Sequence, residues 1–222
     1  MKKIIAILLA LSCVFALASC GGNDVDAVGE MFKNSKPTKT VITTSQAFGN
    51  TVLSGNYVMQ TGLVDGKAAT VYTATYQELL SVEEGGASNL VQGDIVTRTE
   101  TREYLEGKGV RENGGSWNKS GENFALETGP VSLNLSSEYI KTFTYESHLL
   151  RCAVAAANTA EVLGLAEDLS TDVSIEIVDD GASVTSVVIS YAIPADAASS
   201  VDETTVSIKA EYYYDLQKIE IK

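Results

Sequence analysis

The sequence predicts a mainly β protein: a curved antiparallel sheet or half-barrel of about nine or ten strands with one or two short helices. The first observation is composition, because the runs after Thr40 are rich in Thr, Val and Tyr, which suit a pleated, half-buried surface. The second is the alternation of apolar and polar residues with a period of two. The third is the Asp-Gly pair between such runs, at Asp65-Gly66 and Asp180-Gly181, which favours tight hairpin turns.

The N-terminus has the order of a secretory signal. Lys2 and Lys3 precede an uncharged apolar run at 4–18, and small residues follow it. The segment resembles a bacterial lipoprotein signal whose lipobox is Leu17-Ala18-Ser19-Cys20. The resemblance implies that the sulfur of Cys20 receives a diacylglyceryl anchor and that the peptide bond before Cys20 is cut. It also implies a position on the extracytoplasmic side of the cell membrane or the outer membrane.

Two other interpretations of this segment are considered. The first is an uncleaved anchor, but the apolar run of fifteen residues at 4–18 is shorter than the roughly 20 residues that a span needs. The second is an ordinary signal peptide cut near Ala18 or Ser19, which would leave Cys20 as a free thiol. The lipoprotein interpretation gives a signal peptide at 1–19, a lipidated N-terminus with a flexible tether at 20–39, and a single β-rich domain at 40–222.

The charge of the mature chain excludes one class of partner. Loss of Lys2 and Lys3 with the signal lowers the formal charge from −13 to −15. Such a chain is repelled by phosphate backbones and lacks the basic stripe that nucleic-acid binding needs. Attachment to a membrane is therefore expected to come from the acyl anchor at Cys20. The oligomeric state does not follow from the sequence.

Cysteine use excludes a disulfide within the mature chain. Cys13 leaves with the signal and Cys20 is lipidated, so only Cys152 remains. Cys152 lies in the run Leu150-Arg151-Cys152-Ala153-Val154, which is typical of a small buried apolar residue. Stability must therefore come from a packed apolar core, which a chain of this length can form.

The first half of the domain predicts consecutive hairpins. In the tether, residues 25–32 could form a short helix. Apolar residues then alternate with polar ones from Leu53 to Leu63. A return strand is predicted at 68–79, with Tyr72 and Tyr76 on one face. An exposed loop is predicted at 81–92. The strand at 94–105 has no apolar face, so it is either a charge-guarded sheet edge or a wall that faces water. A second hairpin turn follows at 107–109.

The central stretch allows two interpretations, because both a strand period and a helix period fit residues 139–157. We favour a strand followed by a short helix. Asn158 and Glu161 have the spacing of a helix N-cap and its returning carboxylate, and Gly164 stands where a C-terminal glycine cap belongs.

The last part of the chain alternates clearly. Residues 173–177 and 184–191 flank the turn at Asp180-Gly181 and predict a hairpin. In the final strand one face is expected to hold five apolar or aromatic residues: Val206, Ile208, Ala210, Tyr212 and Tyr214. Such alternation indicates one face on a core and the other in water.

The motifs of common catalytic and metal sites are absent from the sequence. His148 is the single histidine, so a zinc site of two or three histidines cannot form, and no Cys-x-x-Cys pair occurs. No nucleophile elbow and no phosphate-binding glycine loop occur. A Ser-His-Asp triad would have to use His148, for which a surface or strand-end position is favoured. A carboxylate pair of the glycosidase type stays an open alternative, because twenty-nine acidic residues form pairs throughout the chain and such pairs carry no specific signal. We therefore expect no enzymatic activity, cofactor or metal.

The Tyr-Leu-x-Gly-x-Gly turn that begins at Tyr104, the lone Trp117 and the alternating strands at the end resemble the LolA/LolB and LppX group of lipoprotein and lipid carriers. That resemblance implies an unclosed half-barrel covered by helices, with an apolar cavity that holds acyl chains.

These observations lead to two functional hypotheses. The first is a non-enzymatic binding or carrier protein for a lipid or another apolar ligand, and the alternative is a surface module that binds glycan or protein. For Trp117 both a core position and a ligand contact are considered. The candidate ligand-lining residues are Leu53, Tyr57, Met59, Tyr72, Tyr76, Trp117, Ile208 and Tyr212.

Overall fold

The computed structural model describes residues 24–79, 94–124, 133–195, 203–215 and 218–221. The predicted signal peptide, Cys20 and the predicted loop at 81–92 lie outside these ranges. Within them, no helix is both long enough and apolar enough to cross a membrane.

Ten strands form one antiparallel sheet that is not closed, and this confirms the predicted fold class. Their order in the sheet is β5-β4-β3-β2-β1-β10-β9-β8-β7-β6. The strands are β1 (Lys39–Phe48), β2 (Thr51–Val64), β3 (Lys67–Leu79), β4 (Ile95–Leu105), β5 (Gly109–Glu112), β6 (Ile140–Glu146), β7 (Leu149–Val154), β8 (Val173–Asp179), β9 (Val184–Ile193) and β10 (Thr204–Tyr213). The helices are α1 (residues 24–34) and α2 (Thr159–Leu163), with a 3₁₀ turn at Ala156–Asn158.

The chain divides into two compact units. Unit 1 comprises Met1–Ser35 and Ser132–Val187, and unit 2 comprises Lys36–Val131 and Val188–Lys222. The single β-rich domain at 40–222 stays a prediction.

Unit 2 contains the consecutive hairpins that the sequence predicted. Asp65 and Gly66 join β2 to β3 with φ angles of 51° and 77°, which is the left-handed conformation that a tight turn requires. The turn at Gly107 joins β4 to β5. β4 pairs with β3 along Ile95–Leu105 but with β5 only from Arg102. Its first half is therefore a sheet edge lined by exposed Thr, Arg and Glu, as the absence of an apolar face indicated.

The core of unit 1 lies on one face of β7 and β8. Residues that oppose one another on adjacent antiparallel strands point to the same side. Leu150 opposes Ile177, and Cys152 opposes Ile175. Further fully buried residues of this unit are Val25, Val28, Val154, Val162, Val173, Val184 and Val187.

Helix α1 lies within the range that the sequence assigned to a flexible tether. Val25, Val28 and Phe32 are buried, and they recur at the spacing of one helix face. The carboxylate of Asp26 accepts hydrogen bonds from the backbone amide and hydroxyl of Ser137, at 2.8 and 3.0 Å. The helix is therefore a packed element of unit 1, because burial of its apolar face offsets the low apolar content of the surrounding sequence.

In the central stretch the favoured order, strand and then short helix, is confirmed, but the strand is a hairpin of β6 and β7. Gly164 ends α2 in the left-handed conformation, with φ of 65°, as predicted. Asn158 occupies the N-cap position without capping, because its side-chain amide donates instead to the carbonyl of Tyr139. The predicted partner Glu161 instead accepts a hydrogen bond from Asn134.

Candidate functional site

Seven of the eight predicted ligand-lining residues lie on one face of unit 2, which we call the tyrosine face. The register of the strands places them there. Gly55 of β2 opposes Thr44 of β1 and Tyr76 of β3, and Thr44 opposes Ile208 of β10. Because side chains alternate between the two faces of a strand, these four positions and the residues two places away from each share one face of the sheet. The seven residues are Leu53, Tyr57 and Met59 of β2, Tyr72 and Tyr76 of β3, and Ile208 and Tyr212 of β10.

Four of these seven line one groove, which we call the tyrosine groove. Leu53, Tyr57, Tyr76 and Ile208 surround a volume of about 180 Å³, and all four side chains are half-buried. Polar residues of β1, the strand between β2 and β10, lie among them, so the groove combines apolar and hydrogen-bonding groups. The lining is completed by Thr44, Ser45, Gln46, Ser54, Gln77 and Val206.

Gly55 shapes this groove, and the alternating pattern of β2 does not reveal its role. A Cβ atom at Gly55 would lie 2.7 Å from the Thr44 hydroxyl and 2.7 Å from the ring of Tyr57. The missing side chain lets the Tyr57 ring lie back over the strand, where it stacks with Tyr76 at 6.2 Å between centroids and an interplanar angle of 11°. A glycine inside an alternating strand is a sign of such a close approach.

The tyrosine face is bordered by charged residues of β4. The Tyr76 hydroxyl donates to Glu100 at 2.7 Å, and this hydrogen bond is the first cause of the raised pKa of Tyr76. The Arg98 guanidinium donates to Glu78 at 2.6 Å. These charged residues lie outside the lining of the tyrosine groove, which consists of apolar and uncharged polar residues.

The other three residues on this face have different surroundings. Met59 and Tyr212 are buried, and burial raises the pKa of Tyr212. Tyr72 is half-buried beside Glu100 and Arg102 in a second depression of about 270 Å³, and burial also raises its pKa.

Trp117 lies on the opposite side of unit 2. It packs against a small core of Ala69, Leu105 and Ile219. The guanidinium of Arg111 lies 4.7 Å from the centroid of the Trp117 ring, and the ammonium of Lys108 lies 5.5 Å from it. The structure therefore separates Trp117 from the tyrosine groove.

His148 is part of a hydrogen-bonded cluster in unit 1. Its Nδ1 lies 2.8 Å from Oδ1 of Asp179, whose side chain is fully buried. Asp179 also accepts hydrogen bonds from the Tyr145 hydroxyl at 2.9 Å and from the Gly181 amide at 2.8 Å. Burial is the largest cause of the raised pKa of Tyr145, and the hydrogen bond from its hydroxyl to Asp179 is the second.

This cluster supports the turn between β6 and β7. Ser147 and His148 have φ angles of 51° and 64°, a left-handed conformation that is unfavourable for residues other than glycine. The contact with Asp179 holds the turn in that conformation. In the described ranges no serine hydroxyl is hydrogen-bonded to His148, and no three His, Cys, Asp or Glu residues are placed to hold a metal ion.

Comparison with known proteins gives little. No protein-family model matches the chain, and no curated protein matches it. The solved structures include a DUF1329 family protein from Desulfovibrio piger, which is 9% identical over 89% of this chain and 93% of that chain, with a TM-score of 0.28. A likeness at that score carries no inference about function.

Proposed function

We propose that this protein is a membrane-anchored, extracytoplasmic lipoprotein that binds or carries a lipid or another amphipathic ligand and has no enzymatic role. The observation that carries the ligand proposal is the tyrosine groove. It brings together four of the residues that the sequence predicts to line a ligand site: Leu53, Tyr57, Tyr76 and Ile208.

The composition of the groove favours an amphipathic ligand. Aliphatic side chains and two stacked tyrosine rings offer apolar contact, and the Thr44 and Gln46 positions offer hydrogen bonds. Pockets for whole small molecules enclose roughly 300 to 1,000 Å³. At about 180 Å³ the groove is smaller, so it would hold one segment of a longer ligand, such as part of an acyl chain.

The anchor proposal is supported by the sequence. The lipobox-like residues 17–20 end an apolar run at the position where a lipoprotein signal is cut. One acyl chain alone would bind a membrane only marginally, so stable attachment would require the two or more chains that lipoprotein modification supplies.

The ligand proposal is tested with a fluorescent fatty-acid analogue and the full chain. We expect saturable binding of the analogue, and native mass spectrometry should show a lipid-sized mass that is bound non-covalently to the purified protein. Ile208→Ser should weaken binding about tenfold, because burying an aliphatic side chain is worth roughly 1.5 to 3 kcal/mol and about 1.4 kcal/mol corresponds to tenfold.

Val52→Ser is the matched control. Val52 is 56% exposed and lies on the opposite face of β2, so the same loss of an aliphatic group should leave binding unchanged. The carrier proposal fails if the full chain shows no saturable binding, or if Val52→Ser weakens binding as much as Ile208→Ser.

A further inference from the structure

Unit 2 has a second groove, on the face opposite the tyrosine face, which we call the threonine groove. Its volume is about 470 Å³, within the roughly 300 to 1,000 Å³ range of small-molecule sites. Two rows of side chains form its floor. Thr73 of β3 opposes Thr101 of β4, and in the next row Glu103 of β4 opposes Arg111 of β5. Glu220 lies at its border.

Arg111 is held in place in this groove, and some of its hydrogen-bond donors are not used in the described part of the chain. Its side chain is only 13% exposed, its Nε donates to Glu103, and its guanidinium covers the ring of Trp117. A guanidinium has five N–H donors. Among the described residues, the structure gives the terminal nitrogens of Arg111 no hydrogen-bond partner. These nitrogens can therefore donate hydrogen bonds to an oxygen acceptor of a ligand.

The two threonines extend the polar surface. The side-chain hydroxyls of Thr73 and Thr101 make no hydrogen bond to other residues of the described chain, whereas the backbone of Thr101 is bonded to Asn113. A hydroxyl both donates and accepts. The groove therefore presents guanidinium donors next to two groups that do either.

The charge balance selects the ligand class. Arg111 is neutralised by Glu103, and Glu220 at the border is paired with Lys218 at 3.2 Å. The full chain carries a formal charge of −13, so an anion gains no net attraction at this groove. We propose that the threonine groove binds a neutral polyhydroxylated molecule, a saccharide, whose hydroxyls bond to Arg111, Thr73 and Thr101.

Trp117 provides the readout, because it is the single tryptophan of the chain and its ring is covered by Arg111. The full chain, in a detergent without a sugar headgroup, is titrated with maltose, cellobiose and chitobiose, and separately with glutarate. We expect a saturable change in Trp117 emission with at least one disaccharide and none with glutarate. Calorimetric titration of the same samples should give the same affinity.

The variants locate the site. Thr73→Val combined with Thr101→Val should weaken binding at least tenfold. Thr75→Val combined with Thr99→Val is the control, because this pair lies one row along the same two strands and outside the groove. Ile208→Ser, in the tyrosine groove, should leave saccharide binding unchanged, so the two proposals can fail separately.

Three results would overturn the saccharide proposal. The first is the absence of both heat and emission change with all three disaccharides. The second is saturable binding of glutarate in their place, which would assign the groove to carboxylates. The third is an equal loss of affinity in the Thr75/Thr99 control, which would mean that the strands and not the groove hydroxyls are responsible.

Discussion

Cys152 carries a thiol whose chemistry is set by burial. It lies in β7 opposite Ile175 of β8 and is 5% exposed. Burial disfavours the charged thiolate and raises the pKa of Cys152 to about 12. The thiolate is the reactive form, so its fraction at pH 8 should be about a thousandfold smaller than for a thiol with a pKa of 9.0.

We therefore expect Cys152 in the folded protein to resist an aromatic disulfide reagent at pH 8 and to react fully in urea. The same raised pKa makes stability depend on pH. The contribution of the buried neutral thiol to the free energy of unfolding is fully present below the pKa of the unfolded state, near 9. It is lost as the pH rises toward the pKa of the folded state, about 12. Absorbance of the released thiolate measures labelling, with Cys152→Ala as the blank. Rapid labelling of the folded protein would contradict the assigned burial.

The two central residues of the β6–β7 hairpin could not be predicted in the same way. Cys152 was recognisable as buried because its neighbours alternate locally. Ser147 and His148 are neither glycine nor asparagine, the residues that mark a tight turn in a sequence. Their conformation depends on Asp179, which is 31 residues from His148 in the chain. A contact of that kind is visible only after the sheet has brought the two segments together.

At the scale of elements, β10 shows what alternation predicts and what it leaves open. Ala210 and Tyr212 are buried and Lys209 is exposed, as the pattern predicted. Ile208 shares the inward face but is only half-buried, because it lines the tyrosine groove. Tyr214 lies just beyond the strand, which ends at Tyr213. Alternation thus assigns a face, whereas packing decides how deeply each residue is buried.

Ala210→Asp tests this register. A carboxylate at this fully buried position costs several kcal/mol or becomes protonated, and a domain of this kind has roughly 5 to 15 kcal/mol of stability. We expect a large fall in the urea midpoint. Lys209→Asp, one residue earlier, removes only an exposed ion pair with Glu211 and should cost less than about 1 kcal/mol. Equal losses would mean that β10 is buried on both faces.

Helix α1 and Gly55 both depend on tertiary contacts that a local sequence pattern does not reveal. The spacing of Val25, Val28 and Phe32 is helical, but three apolar residues in a polar stretch do not reveal the surface on which they pack. Gly55 interrupts a strand whose alternation was recognised. Its role depends on Thr44 and Tyr57, which the fold places against it. Both segments are defined by tertiary contacts and not by local pattern.

At the scale of the whole molecule, the negative charge and the proposed anchor have opposing effects on attachment to a membrane. A mature chain with a formal charge of −15 would be repelled by the anionic lipids of a membrane surface. The proposed attachment is therefore covalent in origin and independent of salt. Washing membranes with concentrated salt should not release the wild-type protein.

Cys20→Ala removes the one sulfur to which the diacylglyceryl group would be attached. We expect this variant to leave the membrane fraction and appear in the soluble fraction, measured by immunoblot after centrifugation. Cys13→Ala is the control, because Cys13 lies inside the apolar run and should be removed with the signal. If the Cys20→Ala protein stays with membranes through both salt and alkaline carbonate washes, the run at 4–18 is an uncut span. Attachment would then come from apolar length and not from acylation, although that run is shorter than the roughly 20 residues that a span needs.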